Sequence, residues 1–290
     1  FEIPNVIEVC SQEGLDETLK EMVSALEICQ KSLNEYLDMK KKVFPRFYFV
    51  AAADLLDILS KGTSPWLLQK HFSKNFDSID ALQFEDNPDG TPSKTAVAMV
   101  SPQKEVVQFH EPLLCDGPVE VWLNKVMEWM RMALKQPLHE AAKSYDDAKA
   151  RHEWALDWCA QMTVLVSRII YTEDVNMQFD QLEEGNDNAL KDYYDKCQEQ
   201  LNNLSALING VLSKGDRTKI ITLVTIDVHA RDVILKLINA RVETVDCFEW
   251  ASQLRYRLDD KSGDCIINLC DYTTPYIYEY IGNCGALVIT

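Results

Sequence analysis

Basic residues are in short supply. Against 46 Asp and Glu the chain has 29 Lys and Arg, so its formal net charge is −17 over 290 residues. A surface that acidic repels nucleic acid, anionic lipid and other acidic surfaces. Neither nucleic acid nor a membrane is therefore an expected partner. The dense basic patch is short, confined to Lys40, Lys41, Lys42 and Arg46. Long apolar runs are missing too, and nothing in the sequence is long enough to span a bilayer. The first ten residues lack the basic start of a secretory signal. Histidine is sparse: His71, His110, His139, His152 and His229 never stand at i, i+4, which excludes a two-histidine zinc helix. Nine cysteines are scattered from Cys10 to Cys284 without a C-x-x-C pair. Cys265 and Cys270 are the closest, and no further ligand lies at zinc-like spacing. The pattern reads as reduced, mostly buried thiols of an intracellular protein, not a disulfide framework.

Catalytic motifs are also lacking. There is no G-x-S-x-G, no G-x-G-x-x-G and no Cys/His signature. Gly210-Val211-Leu212-Ser213-Lys214-Gly215-Asp216-Arg217 has the glycine spacing of a phosphate loop. Asp216 and Arg217 stand where Lys and Ser/Thr are required, so a carboxylate would face the phosphates and no hydroxyl would reach magnesium. The expected structure is a helix C-cap followed by a turn. His229 lies in an apolar stretch near Asp227 and Asp232. A general base is conceivable there, but a hydrogen-bonded structural histidine is the preferred reading. The acid pairs Asp146/Asp147 and Glu183/Glu184 read as solvated faces. No catalytic residue, cofactor or metal is expected in this chain.

What is present is helical periodicity. Leu15, Leu19, Met22, Leu26, Cys29, Leu33 and Tyr36 alternate steps of four and three, with Glu17, Lys20, Glu27 and Lys31 off the seam. This predicts one helix of an antiparallel bundle. Pro45 ends it, and the aromatic run after it suits an extended, buried connector. Short helices are expected over residues 51–60 and 65–75. From Ala81 the period becomes two, predicting three short strands with turns at residues 85–94 and 101–104. Helix returns after Pro118 and is expected to run towards Ala148. Further helices are expected over residues 153–170, 186–212 and 218–240, the last apolar on most faces and central. Trp122, Trp129, Trp154 and Trp158 fall at helical spacing and read as core. Strands are expected over residues 253–258, 265–269 and 276–281, with another beginning at Leu287.

The expected fold is mainly α: elongated antiparallel helical bundles, a small inserted antiparallel β-sheet and a C-terminal β-hairpin and strand segment. Residues 1–115, 116–251 and 252–290 form its expected divisions. The chain begins without Met and ends in the apolar run Ala286-Leu287-Val288-Ile289-Thr290, so both ends are expected to be cuts through a longer protein.

The order of several stretches resembles a known family. Phe44-Pro45-Arg46-Phe47-Tyr48-Phe49, followed by Leu55-Leu56-Asp57-Ile58-Leu59, resembles the F-P-R-F-Y-F…L-L-E-I-L signature of dynein heavy-chain linkers. Glu153-Trp154-Ala155-Leu156-Asp157-Trp158 is similar to the E-W-x-L-x-W segment, and Phe248-Glu249-Trp250…Gln253-Leu254-Arg255-Tyr256 to F-x-W-x-x-Q-L-R-Y. Thr225–Val233, which includes Arg231, resembles the axonemal version of the next stretch. Tyr278-Glu279-Tyr280-Ile281-Gly282-Asn283…Leu287-Val288-Ile289-Thr290 resembles the entry into the first AAA+ module. Ala286 stands where the family usually has Arg, and Leu258 replaces a common aromatic.

The resemblance implies the C-terminal part of a linker, a lever arched over a ring of AAA+ modules that bends with nucleotide state. ATP and magnesium would be bound elsewhere in the parent motor. Partners would be the AAA+ ring of the same chain and, through other parts, dynein intermediate and light chains and microtubules. The implied location is the cytoplasmic cytoskeleton, in the axoneme of a cilium or flagellum. The implied ring or interdomain contacts are Phe44, Pro45, Arg46, Phe47, Tyr48, Phe49, Trp154, Trp158, Arg231, Arg255, Tyr256, Tyr278, Tyr280, Gly282 and Asn283. The Pro-interrupted region between Val43 and Pro118 is the expected joint of the lever, and residues 253–290 are expected to pack on the first ring module. The alternatives are an independent helical scaffold or adaptor that binds partner proteins, and an enzyme whose site would gather His229, Asp227 and another acid in a cleft.

Overall fold

The structure, a computed structural model, describes residues 6–11, 13–87, 90–145, 149–259 and 261–283. Asp146, Asp147, Pro88, Asp89, Cys284 and the strand expected from Leu287 lie outside the described residues. Helix α1 (Val6–Cys10) precedes the 29-residue α2 (Leu15–Val43). Pro45 enters a 3-10 turn (Pro45–Phe49), followed by α3 (Ala52–Ser60), a second 3-10 turn (Pro65–Leu68) and α4 (Gln69–Asn75). β1 (Ala81–Asp86), β2 (Pro92–Val100) and β3 (Val106–Leu114) form an antiparallel sheet in that order. The helical region is α5 (Val119–Lys135), α6 (Leu138–Lys143), α7 (Arg151–Asp157), α8 (Ala160–Glu183), α9 (Ala189–Ile208), α10 (Lys214–Ala240) and α11 (Phe248–Ala251). A second antiparallel sheet, β4 (Arg255–Leu258), β5 (Cys265–Leu269) and β6 (Tyr272–Pro275), closes the order. The expected class, mainly α with a small inserted antiparallel sheet, is the class observed, and the expected C-terminal hairpin and strand segment is a three-stranded antiparallel sheet.

Several details differ from expectation for physical reasons. The aromatic run is a 3-10 turn, not an extended connector. Its spacing of three puts Phe44 and Phe47 inward, in edge-to-face contact at 4.9 Å, and leaves Tyr48 and Phe49 outside. The helix after Pro118 stops at Lys135, where Pro137 cannot continue the hydrogen-bond ladder. The helix expected over residues 153–170 is two, because the backbone turns extended at Trp158 and Cys159. Lys219 holds that break open: its buried ammonium donates to the Trp158 carbonyl at 2.7 Å. α10 buries one stripe, Ile220, Leu223, Ile226, Ala230, Val233, Ile234 and Leu237, and exposes Ile221 and Leu235, so it is a flanking helix and not a central one. Residues 276–281 are no strand; β6 lies before them.

The largest correction concerns α2. It is the expected helix, but its seam is not packed in a bundle. Leu19, Met22, Leu26, Cys29, Leu33 and Tyr36 are exposed, and Leu37 is its buried residue. Only the last turns are anchored. Lys40 donates to Glu120 on α5 at 2.6 Å, and Asn124 donates to the Val43 carbonyl at 2.9 Å. The buried Glu120 carboxylate raises the Lys40 ammonium above its usual range.

One hydrophobic core begins at Leu37. It continues through Phe44, Phe47, Ile58, Phe72, Met99, Trp122, Trp154, Leu165, Leu204 and Ile220 to Tyr280. It crosses the expected boundary at residue 115 without a break and includes the region expected to hold the joint. A second cluster, with Val175, Phe179, Ile234, Leu237 and Trp250, fills the far end of α8 and α10.

Candidate coupling site around residues 276–283

Residues 276–283 form an irregular strap tied by several side-chain hydrogen bonds. It starts where the Tyr276 N–H donates to the Cys265 carbonyl at 2.9 Å, and beyond that point the Glu279 carbonyl and the Ile281 N–H bond to a side chain. Gln161, buried in the first turn of α8, supplies three of the strap's bonds. Its Nε2 donates to the Tyr276 hydroxyl at 2.8 Å and to the Glu279 carbonyl at 2.7 Å; its Oε1 accepts from the Ile281 N–H at 3.0 Å. The side-chain amide thus offers the strap the donor and acceptor that a neighbouring strand would offer.

Glu105 closes the opposite side. The turn at Ser101–Lys104 puts Lys104 at φ 68, and Ser101 Oγ accepts the Glu105 N–H at 3.0 Å. The carboxylate accepts from the Ala160 N–H at 2.8 Å and from the buried Tyr280 hydroxyl at 2.8 Å. Cys159 gives α8 no side-chain cap, so Glu105 serves as a cap from another element and brings negative charge to the positive end of a 24-residue helix. Burial first, and then the Glu105 charge, push the Tyr280 hydroxyl far above its usual range. Burial pushes Tyr276 and Tyr278 up to about 12.

Arg46 and Glu279, 233 residues apart, form a two-pronged pair at 2.8 and 2.7 Å. Arg46 also donates to the Asn75 carbonyl at 3.1 Å and lies over the Phe76 ring at 4.9 Å. The arginine of the aromatic stretch is therefore the ion partner of the glutamate between Tyr278 and Tyr280. Gly282 sits at φ 61, and a Cβ there would come within 3.2 Å of Ser78 and 3.3 Å of Ser101. Tyr278 also has positive φ, 57, and its hydroxyl accepts from the Cys265 N–H at 3.0 Å. Asn283 Nδ2 donates to the Gly215 carbonyl at 2.7 Å, tying the strap to the start of α10.

Of the residues singled out from sequence, Arg46, Tyr278, Tyr280, Gly282 and Asn283 converge here, backed by Phe44 and Phe47 in the core. The others lie elsewhere. Trp154 is core, its indole N–H bonded to Ser144 at 3.0 Å. Trp158 is half-buried at the helix break. Arg231 pairs with Asp232 on α10, and Arg255 donates to the Cys270 carbonyl at 3.4 Å. The Tyr256 N–H donates to Thr172 at 3.1 Å, and burial raises its hydroxyl. Pro45, Tyr48 and Phe49 are exposed, Phe49 by 88%. Gln161 and Glu105 were missed, because a single polar residue in a helix or turn carries no pattern; Glu279 lies inside the quoted motif.

The residues singled out for chemistry lie as follows. Ser213 caps α10, accepting from the Asp216 N–H at 3.0 Å, and Arg217 closes the preceding turn on the carbonyls of Ile208 and Gly210. The glycine-spaced segment is a helix end and a capped helix start. Asp227 is taken by Arg151 in a two-pronged, largely buried pair, and His229 is exposed. Asp227 and Asp174 line a small pocket with Arg151, and His229 is not among its lining residues.

Residues 1–141 match the family model of the dynein heavy chain, N-terminal region 2. All of the chain aligns at 50% identity with the dynein beta chain of the flagellar outer arm of Chlamydomonas reinhardtii. The human dynein axonemal heavy chain 9 is 46% identical over 99% of the chain, and the ciliary dynein beta chain of Tripneustes gratilla 44%. The chain belongs to the dynein heavy-chain family. Its relatives are axonemal dyneins, and it spans 6% of the length of each of these three. Within this heavy-chain segment, the strap joins two stretches that the sequence alone shows only as separate motifs.

Proposed function

We propose that this segment is the C-terminal part of the linker of an axonemal dynein motor, a mechanical lever that couples ATP-driven changes in an AAA+ ring to movement along microtubules. The observation that carries this reading is the continuous main core from Leu37 to Tyr280, which unites sheet, helices and strap. A lever transmits force only if its parts do not slide past one another, and close-packed cores deform little. The first part of α2 departs from that body with an open apolar seam. We place the compliant point there, near Leu37, and not between Val43 and Pro118, where bending would break core contacts. The seam then packs on another helix of the same heavy chain.

On this reading the segment binds no cofactor and hydrolyses no ATP. Its partner is the ring of its own chain, and its place is the ciliary or flagellar axoneme. Intermediate and light chains and microtubules are reached through other parts of the parent. The test compares the intact motor in two nucleotide states, superposed on α8 to α10. Movement of residues 15–36 against that body is expected; an unchanged position in both states overturns the assignment of the compliant point.

A further inference from the structure

The hydrogen bonds around the strap divide into two kinds. Arg46 and Asn283 tie the strap at its side chains, through Glu279 and through the Asn283 amide itself. The bonds of Gln161 and Glu105 meet at the start of α8, and Gln161 reads the main chain of the strap. Gln161 spends its whole side-chain amide on the strap while its backbone belongs to the first turn of α8. Glu105 holds the Tyr280 hydroxyl with one oxygen and the start of α8 with the other. Residues 160 and 161 are adjacent, so both contacts meet at one helix end. The strap crosses that end between the β2–β3 turn and α8, where the chain also passes through two left-handed residues, Tyr278 and Gly282. An extended segment with no ladder of its own can slip in register. Here the slip is stopped by one amide that reads a carbonyl and an N–H two residues apart.

We infer that Gln161 and Glu105 are positioning residues of the motor: they form a latch that fixes the register of residues 276–283 on the lever, so that load enters the rigid body through α8. The inference rests on the lever reading above. If the latch is lost, the lever body stays folded around its core, but the strap has slack, and strokes are spent taking it up. ATP hydrolysis, performed elsewhere in the parent, continues.

The test uses the full heavy chain carrying Q161M, which keeps side-chain volume and removes all three bonds, and separately E105Q, which removes the charge at the α8 start. Three quantities are read: exchange of the Ile281 amide, ATP turnover and microtubule sliding velocity. The expected result for Q161M is faster Ile281 exchange by about 10- to 100-fold, as loss of a buried partner allows, with a velocity that falls several-fold more than turnover. Q161E keeps the acceptor for Ile281 but turns a carboxylate oxygen toward the Glu279 carbonyl, so it is expected to raise Ile281 exchange less than Q161M and still to lower velocity more than turnover, which keeps the test decisive if Q161M folds poorly. For E105Q the same split is expected, at smaller size. Unchanged Ile281 exchange in Q161M overturns the latch. Velocity and turnover that fall in proportion overturn the positioning role. Raised exchange in Q161M, with no change of place of the whole segment against the ring between nucleotide states of the unsubstituted motor, overturns the lever and the positioning role together while leaving the hydrogen bonds in place.

Discussion

α2 and α9 carry the same four-three apolar spacing and meet opposite fates. On α9, Leu190, Cys197, Leu201 and Leu204 are buried between α8, α10 and α7. On α2, Leu26 is 68% exposed, Leu19 51% and Leu33 41%. The difference lies in the neighbours. α9 is joined by short connections to two helices that run back along it, whereas α2 is followed by Pro45 and a tight turn that carries the chain away. Heptad spacing shows that a helix has a face to cover; it does not say what covers it.

The largest contrast is obtained by making one substitution in both seams. Leu204→Ala is expected to cost about 2–5 kcal/mol in a denaturant melt, since it opens a cavity in the main core. Leu26→Ala in this chain is expected to change stability by no more than about 0.5 kcal/mol. In the full heavy chain the Leu26 cost is expected to rise towards the Leu204 value if another helix covers α2. A similar contrast holds for ion pairs. Asp227→Asn leaves Arg151, whose side chain is 12% exposed, without its partner, and is expected to cost about 3–5 kcal/mol. Asp16→Asn, which breaks the exposed pair with Lys20 on α2, is expected to leave the melt unchanged.

Cysteines compare the two regions a third way. Cys29 on the α2 seam is exposed, whereas Cys197 on α9 is buried and burial pushes its thiol up to about 11. An alkylating reagent at pH 8 is expected to modify Cys29 quickly and Cys197 only after unfolding. The smallest effect is on pH dependence. Burial raises Cys115 and Cys265 from 9.0 to about 12. Their folded values lie above their unfolded ones, so the stability they contribute is complete below about pH 9 and is lost as pH rises towards 12. A melt series from pH 8 to 11 is expected to show alkaline destabilisation, and C115A is expected to lessen it. A flat profile would contradict the burial of these thiols.

How much of this was legible follows from where each determinant lies. The helices, the mid-chain sheet and the turns at Ser101 and Asp259 are written in local period and in Pro, Gly and Asp placement. The break between α7 and α8 was not legible, because it is held by Lys219, 61 residues from the carbonyl it binds. Tyr276–Ile281 looks like a strand because its side chains alternate; it is not one, since Tyr278 has positive φ and the Glu279 carbonyl and Ile281 N–H are met by Gln161. The aromatic and tyrosine motifs were visible one at a time. Their meeting through Arg46 and Glu279 is a fact of tertiary structure.

On the proposed reading, a rigid body begins at Leu37 and α2 leaves it with a face for another part of the heavy chain. Hydrogen exchange along α2 and α9, in this chain and in the full heavy chain, tests it most directly. In this chain the amides of residues 15–36 are expected to exchange far faster than those of residues 190–204, while residues 37–43 keep core-like protection. In the full heavy chain the two helices are expected to be protected alike. Protection of residues 15–36 that is equally strong in both contexts would contradict the account, since α2 would then need no partner beyond this chain.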